Sequence, residues 1–323
     1  MAQKAPGKHQ REGLTLLQIA GMFGEEGKAR QWLENQRWPD GPYCPHCGSF
    51  NVKVGVAHKS MTHRCNDCPK KTMFSVRVGT VMQGSKLPYR VWAVGIYLFT
   101  TNLKGISSMK LHRELGIGQK AAWFMLHRLR EAYASNNPIF SGPVEADETY
   151  VGGTEKNKHS HKKLKAGRGA VGKTAVAGVR DRATGQVIAK VVDKTDAKTL
   201  QGFVTDHTTE CATVYTDDAS AYKGINRTHE AVRHSVGEYV RDMAHTNGLE
   251  SFWAPLKRAH KGTFHKMSPK HLNRYVNEFS GRHNVRPQNT IDQMSSVVSG
   301  MEGKRLRYVD LIADNGLTSG ARS

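Results

Sequence analysis

The chain has 323 residues and carries 48 Lys and Arg against 28 Asp and Glu, a formal net charge of +20 with histidines neutral. That excess points to a polyanionic partner, and a 38% hydrophobic fraction in a chain of this length describes a folded protein of two or three modules, not a disordered basic tail. The most apolar run, Trp92 to Phe99, is eight residues between Arg90 and Lys104, far short of the ~20 needed to cross a bilayer, so no membrane partner is expected. No apolar segment follows the basic N-terminus, which makes the reducing cytoplasm, in association with the nucleoid, the expected compartment.

In chain order, Leu16, Ile19, Met22 and Phe23, then Ala29, Trp32 and Leu33, recur at helical spacing until Pro39, so residues 1–39 form a helical lead-in. From 40 to 80 the pattern becomes two Cys pairs separated by the β-prone runs Val52 to Val56 and Met61 to Arg64. Residues 81–141 are helical again. From 142 to 286 the expected strands are Val144 to Tyr150, Ala175 to Arg180, Gln186 to Val191 and Ala212 to Thr216. A tight turn at Ala183 to Gly185 and a helix over Ala197 to Asp206 separate them, and further helices begin near Asn247 and at Pro269. The segment 154–174 holds six Lys, one Arg and three Gly against one Glu, and reads as a mobile basic loop for a polyanionic partner, with a solvated charge run as the alternative. Residues 287–323 form a C-terminal tail without a legible pattern.

Cys44-Pro-His-Cys47 and Cys65-Asn-Asp-Cys68 stand 17 residues apart, the spacing at which two knuckles give four thiolates to one tetrahedral Zn²⁺. Four cysteines close the shell, so His46 and His63 are left out and the zinc is structural, pinning a module too small for its own core. Lys53, Lys59, Lys70 and Lys71 would lie on its basic loops. Cys211, alone before a strand, reads as a small buried hydrophobe.

After Gly105, Ile106, Met109, Leu111 and Leu115 mark one short helix. A turn at Gly116 to Gly118 follows, and a second helix turns Ala122, Met125, Leu126 and Leu129 inward. These are helix-turn-helix proportions, and the expected outward face of Gln119, Lys120, Trp123, His127 and Arg130 suits phosphates and base edges. An ordinary helical hairpin with a basic face is the alternative.

Asp147 lies inside the strand-like run Val144 to Tyr150, and a carboxylate in the middle of a buried strand is costly unless it is paired or binds a cation. Asp217 ends another strand, at the sheet edge where open α/β sheets place ligand groups. Glu250 opens a helix, with Lys257 two turns further on and Asn247 three residues before it on the same face. Gaps of 69 and 32 residues separate the three acids. Glu148 and Asp218 follow their partners directly and would point to the opposite face of their strands.

Residues 40 to 286 resemble the prokaryotic insertion-sequence transposases of the DDE class that carry an N-terminal zinc ribbon and a ribonuclease-H-like core. The resemblance rests on the two C-x2-C pairs, VEADETYVGG, VYTDDASAY, HTNGLESFWAPLKR and GTFHKMSPKHLNRYVNEFSGRHNVR. It implies an α/β fold, a ribonuclease-H-like mixed sheet preceded by a small zinc ribbon and a helix-turn-helix-like module. It also implies that Asp147, Asp217 and Glu250 are catalytic ligands of Mg²⁺ or Mn²⁺, with Lys257 holding phosphate. Asn247 competes with Glu250 for the third position. The expected activity is DNA cleavage and strand transfer at the element's ends, by a homo-oligomer on double-stranded DNA. A non-catalytic DNA-binding regulator derived from a transposase is the alternative.

Overall fold

The computed structural model describes residues 12–69, 72–134, 138–153, 160, 163–164, 170–217, 219–232 and 246–319. It divides into two compact units, Met1–Ala134 with Val285–Ala313, and Ser135–Asn284 with Asp314–Ser323.

The first unit opens with α1 (Leu16–Phe23), started by a capping box in which Thr15 and Gln18 satisfy each other's backbone amides, and α2 (Glu26–Arg37). Three short antiparallel strands follow, β1 (Val52–Val54), β2 (His63–Cys65) and β3 (Met73–Phe74), in that order across the sheet. Next come α3 (Tyr89–Thr101), α4 (Ser108–Leu115) and α5 (Gln119–Ala132). Pro88 cannot cap α3 with a side chain. Glu26 of α2 does so from a distance, accepting from the amides of Tyr89 at 2.6 Å and Arg90 at 3.1 Å.

The helix pair α4 and α5 meets at Gly116, whose left-handed φ of 62° ends α4. Ala122, Met125, Leu126 and Leu129 are buried as their spacing predicts, and Gln119 and Lys120 are exposed. His127 and Arg130, expected on the outward face, are buried instead. His127 packs edge-on against Trp123 at 4.7 Å, and on another face of α5 the chain returns after residue 285. Tyr308 packs edge-on against Phe124 at 5.5 Å and lies under Lys120, Arg128 donates to the Leu306 carbonyl, and Lys304 donates to the carbonyl of Ala132 at 3.1 Å. Within that return, α9 (Thr290–Ser299) puts Met294, Val297 and Val298 into the same core as Trp92 and Leu129, and α10 (Tyr308–Ile312) follows it.

The second unit is a five-stranded mixed sheet in the order β6-β5-β4-β7-β8. Its strands are β4 (Val144–Val151), β5 (Thr174–Asp181), β6 (Val187–Val192), β7 (Thr213–Asp217) and β8 (Thr228–Val232). β4, β5 and β6 pair antiparallel, whereas β7 runs parallel to β4 and to β8. The crossover from β6 to β7 contains α6 (Ala197–Asp206), capped by the Asp196 carboxylate on the Thr199 amide. Alternation along β4 sends Val144 and Ala146 to one face, packed with Leu200, Phe203 and Val204 of α6. Val151 goes to the other face, packed with Leu249, Phe252, Trp253 and Leu256 of α7 (Asn247–Ala259) and Leu272, Val276 and Phe279 of α8 (Pro269–Val285). This is the ribonuclease-H-like mixed sheet expected from the sequence. No helix among the described residues is long and apolar enough to cross a membrane.

Cys211 is exposed, not buried, because it precedes β7 in a turn whose backbone bonds run between Ala212 and Thr209. Most of the basic segment 154–174, together with Lys70, Lys71 and Asp218, lies outside the described residues, while Lys53 and Lys59 are exposed.

Candidate active site and thiolate cluster

Cys44, Cys47, Cys65 and Cys68 bring their Sγ atoms within 4.8 Å of one another. Cys44 and Cys68 stand 3.9 Å apart and Cys47 and Cys65 3.7 Å apart. Four Zn–S bonds of about 2.3 Å make a tetrahedron with edges of about 3.8 Å, so the cluster matches a structural Zn²⁺ in size and donor type. The first knuckle is closed by the Gly48 amide bonded to the Cys44 carbonyl at 2.8 Å. The second is tied to the first by Asn51, which donates to Asp67 at 2.8 Å and accepts from the side chain of Asn66 at the same distance. His63 is no ligand. It is buried, stacked on Phe74 and edge-on to Trp38, and burial holds its imidazole below the ordinary value and therefore neutral.

The acids are arranged by the second unit's sheet. Val144 pairs with Val214 and Glu145 with Tyr215 across β4 and β7, so continuing the register two residues brings Asp147 and Asp217 to equivalent positions on parallel neighbours, facing the same side. Asp147 Oδ2 accepts from the Trp253 indole N–H at 2.9 Å, and its Oδ1 accepts from the Glu148 amide at 2.8 Å. Burial pushes the Asp147 carboxyl up to about 7; the Trp253 hydrogen bond opposes this, and the charges of Glu148 and Asp217 reinforce it. Asp217 accepts from the Ala219 amide at 3.2 Å.

Glu148 does point away from Asp147, toward the α6 side, where Tyr222 donates to its Oε2 at 2.9 Å. It nevertheless shares the electrostatics of the pair: burial and then the Asp217 charge raise its carboxyl, against the Tyr222 hydrogen bond. Asp147 and Asp217 on one face of the sheet offer hard oxygens whose mutual repulsion a divalent cation would relieve, so this pair suits Mg²⁺ or Mn²⁺.

Asn247 and Glu250 are exposed in the first turn of α7, and Lys257 is exposed near its end. Among the described residues the three acids are not gathered into a closed ligand set as the cysteines are. What joins α7 to the acid strand is Trp253, three residues after Glu250, a contact missed in the sequence. Gly178, the register partner of Asp147 on β5, makes room for it: a Cβ there would stand 2.8 Å from Cζ2 and Cη2 of the indole. Beyond α7 the chain makes one π-helical turn, His260–Phe264, and Lys257, His260 and Lys261 line an open cleft of about 470 Å³ with Glu148 and Lys173. Burial, with Lys261 beside it, lowers the His260 imidazole.

Residues 24–71 match the transposase zinc-ribbon domain, and residues 139–284 match the ISXO2-like transposase domain. The chain is also similar to an uncharacterized protein in transposable element ISH50 of Halobacterium salinarum (strain ATCC 700922 / JCM 11081 / NRC-1), with 30% identity over 279 residues, 81% of this chain and 92% of that protein. The four-thiolate ribbon, the mixed sheet with paired aspartates and these matches agree in order along the chain, which belongs to the ISXO2-like transposase family.

Proposed function

We propose that this transposase binds the ends of its insertion element and performs metal-dependent DNA cleavage and strand transfer, with Asp147, Asp217 and Glu250 as metal ligands and Lys257 as a phosphate contact. The observation that carries the reading is the equivalent register of Asp147 and Asp217 on β4 and β7, beside a helix docked on β4. Divalent cations held by Asp147, Asp217 and Glu250 would supply activation of the attacking oxygen and stabilisation of the leaving one in an in-line displacement at phosphorus.

The chain's own groups have separable tasks. Asp147 and Asp217 offer hard oxygens, and the Trp253 N–H fixes which Asp147 oxygen is turned away from α7. Lys257, with Lys173 and Lys261 across the cleft, supplies point charges to the DNA backbone. The zinc ribbon and the pair α4 and α5 bind the element's ends, with exposed Gln119 and Lys120 on the recognition side. A homo-oligomer on DNA brings two ends together.

The test compares Asp147→Asn, Asp217→Asn, Glu250→Gln and Asn247→Ala in one cleavage assay with Mg²⁺ and with Mn²⁺, alongside DNA binding. Loss of cleavage with retained binding is expected for the first three. Full activity of Glu250→Gln beside a dead Asn247→Ala would move the third ligand to Asn247. Cleavage by all four variants at the wild-type rate would leave a DNA-binding regulator as the function.

A further inference from the structure

We propose that Glu145 is a positioning residue of this site: its buried carboxylate locks the first turn of α7 to β4 and so sets where the third ligand stands relative to Asp147 and Asp217. The proposal rests on the catalytic reading above and assigns a task to an acid which that reading leaves without one.

Glu145 is wholly buried. It lies two residues before Asp147, so strand alternation turns both side chains to the α7 face. Its Oε1 accepts from Arg180 Nη1 and from Arg182 Nε, each at 3.2 Å, and its Oε2 accepts from the Leu249 amide at 3.0 Å. That amide belongs to the first turn of α7, between Asn247 and Glu250. The residue before the helix, Thr246, makes no side-chain cap, so a carboxylate from the sheet takes the place of a local one and meets the positive end of the helix dipole. Gly248 permits the approach: a Cβ there would stand 2.6 Å from Glu145 Oε2 and 2.4 Å from Arg180 Nη1.

The same network reaches the second aspartate. The Arg182 guanidinium lies 4.0 Å over the ring of Tyr215, which is the register partner of Glu145 on β7 and stands two residues before Asp217. Each proposed ligand thus has a member of one buried charge network within two residues: Glu145 for Asp147, Tyr215 for Asp217, and Leu249 for both Asn247 and Glu250. Stability alone is a weak reason to keep such a network, because apolar side chains of similar volume commonly serve a core as well as a buried ion pair does. Directional, charge-assisted hydrogen bonds add geometric specificity, which suits a network that fixes one placement of α7 against β4.

The experiment uses the full chain with Glu145→Gln, Glu145→Ala and Gly248→Ala, and Asp147→Asn as reference. Three quantities are read: hydrogen exchange at the Leu249 amide, Mn²⁺ binding by calorimetric titration, and the Mn²⁺ concentration giving half-maximal DNA cleavage. Glu145→Gln keeps an acceptor and nearly the same volume. It should weaken Mn²⁺ binding and raise the half-maximal Mn²⁺ concentration by about tenfold or more, with DNA affinity within about twofold of wild type. Glu145→Ala should also speed Leu249 exchange by at least about tenfold. Gly248→Ala reaches the same turn without altering a charge, so it should reproduce the Mn²⁺ defect even if Glu145→Ala fails to fold. Wild-type Mn²⁺ binding in Glu145→Gln and Gly248→Ala, with binding lost in Asp147→Asn, would overturn the positioning role and leave the catalytic reading intact. Wild-type Mn²⁺ binding in Asp147→Asn as well would overturn both. A lowered melting temperature with unchanged Mn²⁺ binding would make Glu145 structural only.

Discussion

Gly178→Ala is the smallest change that tests how α7 is held against the acid strand. The new methyl carbon would lie 2.8 Å from two indole carbons of Trp253 and 3.2 Å from Leu249 Cδ2. Carbon atoms in contact prefer about 3.5 to 4.0 Å, so the indole must withdraw by about 1 Å. Its N–H, now 2.9 Å from Asp147 Oδ2, then passes the limit of a useful hydrogen bond. Overpacking costs about 1–3 kcal/mol, and a hydrogen bond to a charged group contributes about 1.5–3 kcal/mol, of which water at the half-buried Asp147 recovers a part. Replacing a strand glycine returns about 0.5 kcal/mol through the unfolded chain. The net loss is about 2 kcal/mol, which in a unit of this size lowers the melting temperature by about 4–8 °C. The assay is thermal melting followed by circular dichroism, with a double-mutant cycle against Trp253→Leu. With the indole gone the methyl group has nothing to displace, so Gly178→Ala should cost little in that background. Additive losses, or a single variant that melts and cleaves like wild type, would refute the claim that Trp253 docks α7 through this contact.

The thiolate cluster predicts about one zinc per chain by elemental analysis, lost in Cys65→Ser; the buried aromatic stack of Trp38, His63 and Phe74 should loosen with it, while melting of the second unit stays unchanged. In metal-free protein, Asp147 carries a folded-state pKa of about 7 against an ordinary 3.8, so the native state binds the extra proton between about pH 4 and pH 7. Its contribution to stability is therefore fully present below that window, falls as pH rises through it and is gone above about pH 7. Asp147→Asn should flatten the slope and Mn²⁺ should restore stability at pH 8; an identical slope in the variant would show that burial of Asp147 is not its cause.

Much of the second unit was legible because its signals are local. The runs that became β4 and β5 bury a face of Val and Ala and pair along their whole length, and α6 begins at an Asp cap and ends at Asp206, as its periodicity predicts. β8 was not legible, since Thr-His-Glu-Ala-Val lies at a sheet edge and carries no apolar alternation. The four cysteines announced their cluster by spacing alone. The candidate acids were singled out by order and spacing, but what surrounds them was not legible: the Trp253 contact with Asp147 spans 106 residues and the Glu145 contact with Leu249 spans 104. A signal did exist for Trp253, whose phase on α7 matches Leu249 and Leu256, the face turned to the sheet. His127 and Arg130 misled because polarity suggested exposure, whereas α5 is packed on more than one face, in part by a segment far along the chain, as in the 178-residue span from Arg128 to Leu306.

The return of α9 also sets the order in which the protein can be completed during synthesis. Every strand of the second unit's sheet, with α7 and all of α8, leaves the ribosome before the first residue of α9. Helices α1 to α5 emerge earlier still, yet their core lacks Met294, Val297, Val298 and Met301, each at most 2% exposed in the finished molecule. The core that begins first therefore waits for α9, about 160 residues after α5, roughly 8–30 s at ordinary elongation rates. A chain terminated near Arg286 would carry a nearly whole sheet in one unit and an open apolar face on α1 to α5 in the other, a product for chaperones and proteases. Truncations that remove α9 should therefore cost the first unit its fold, whatever the second unit retains.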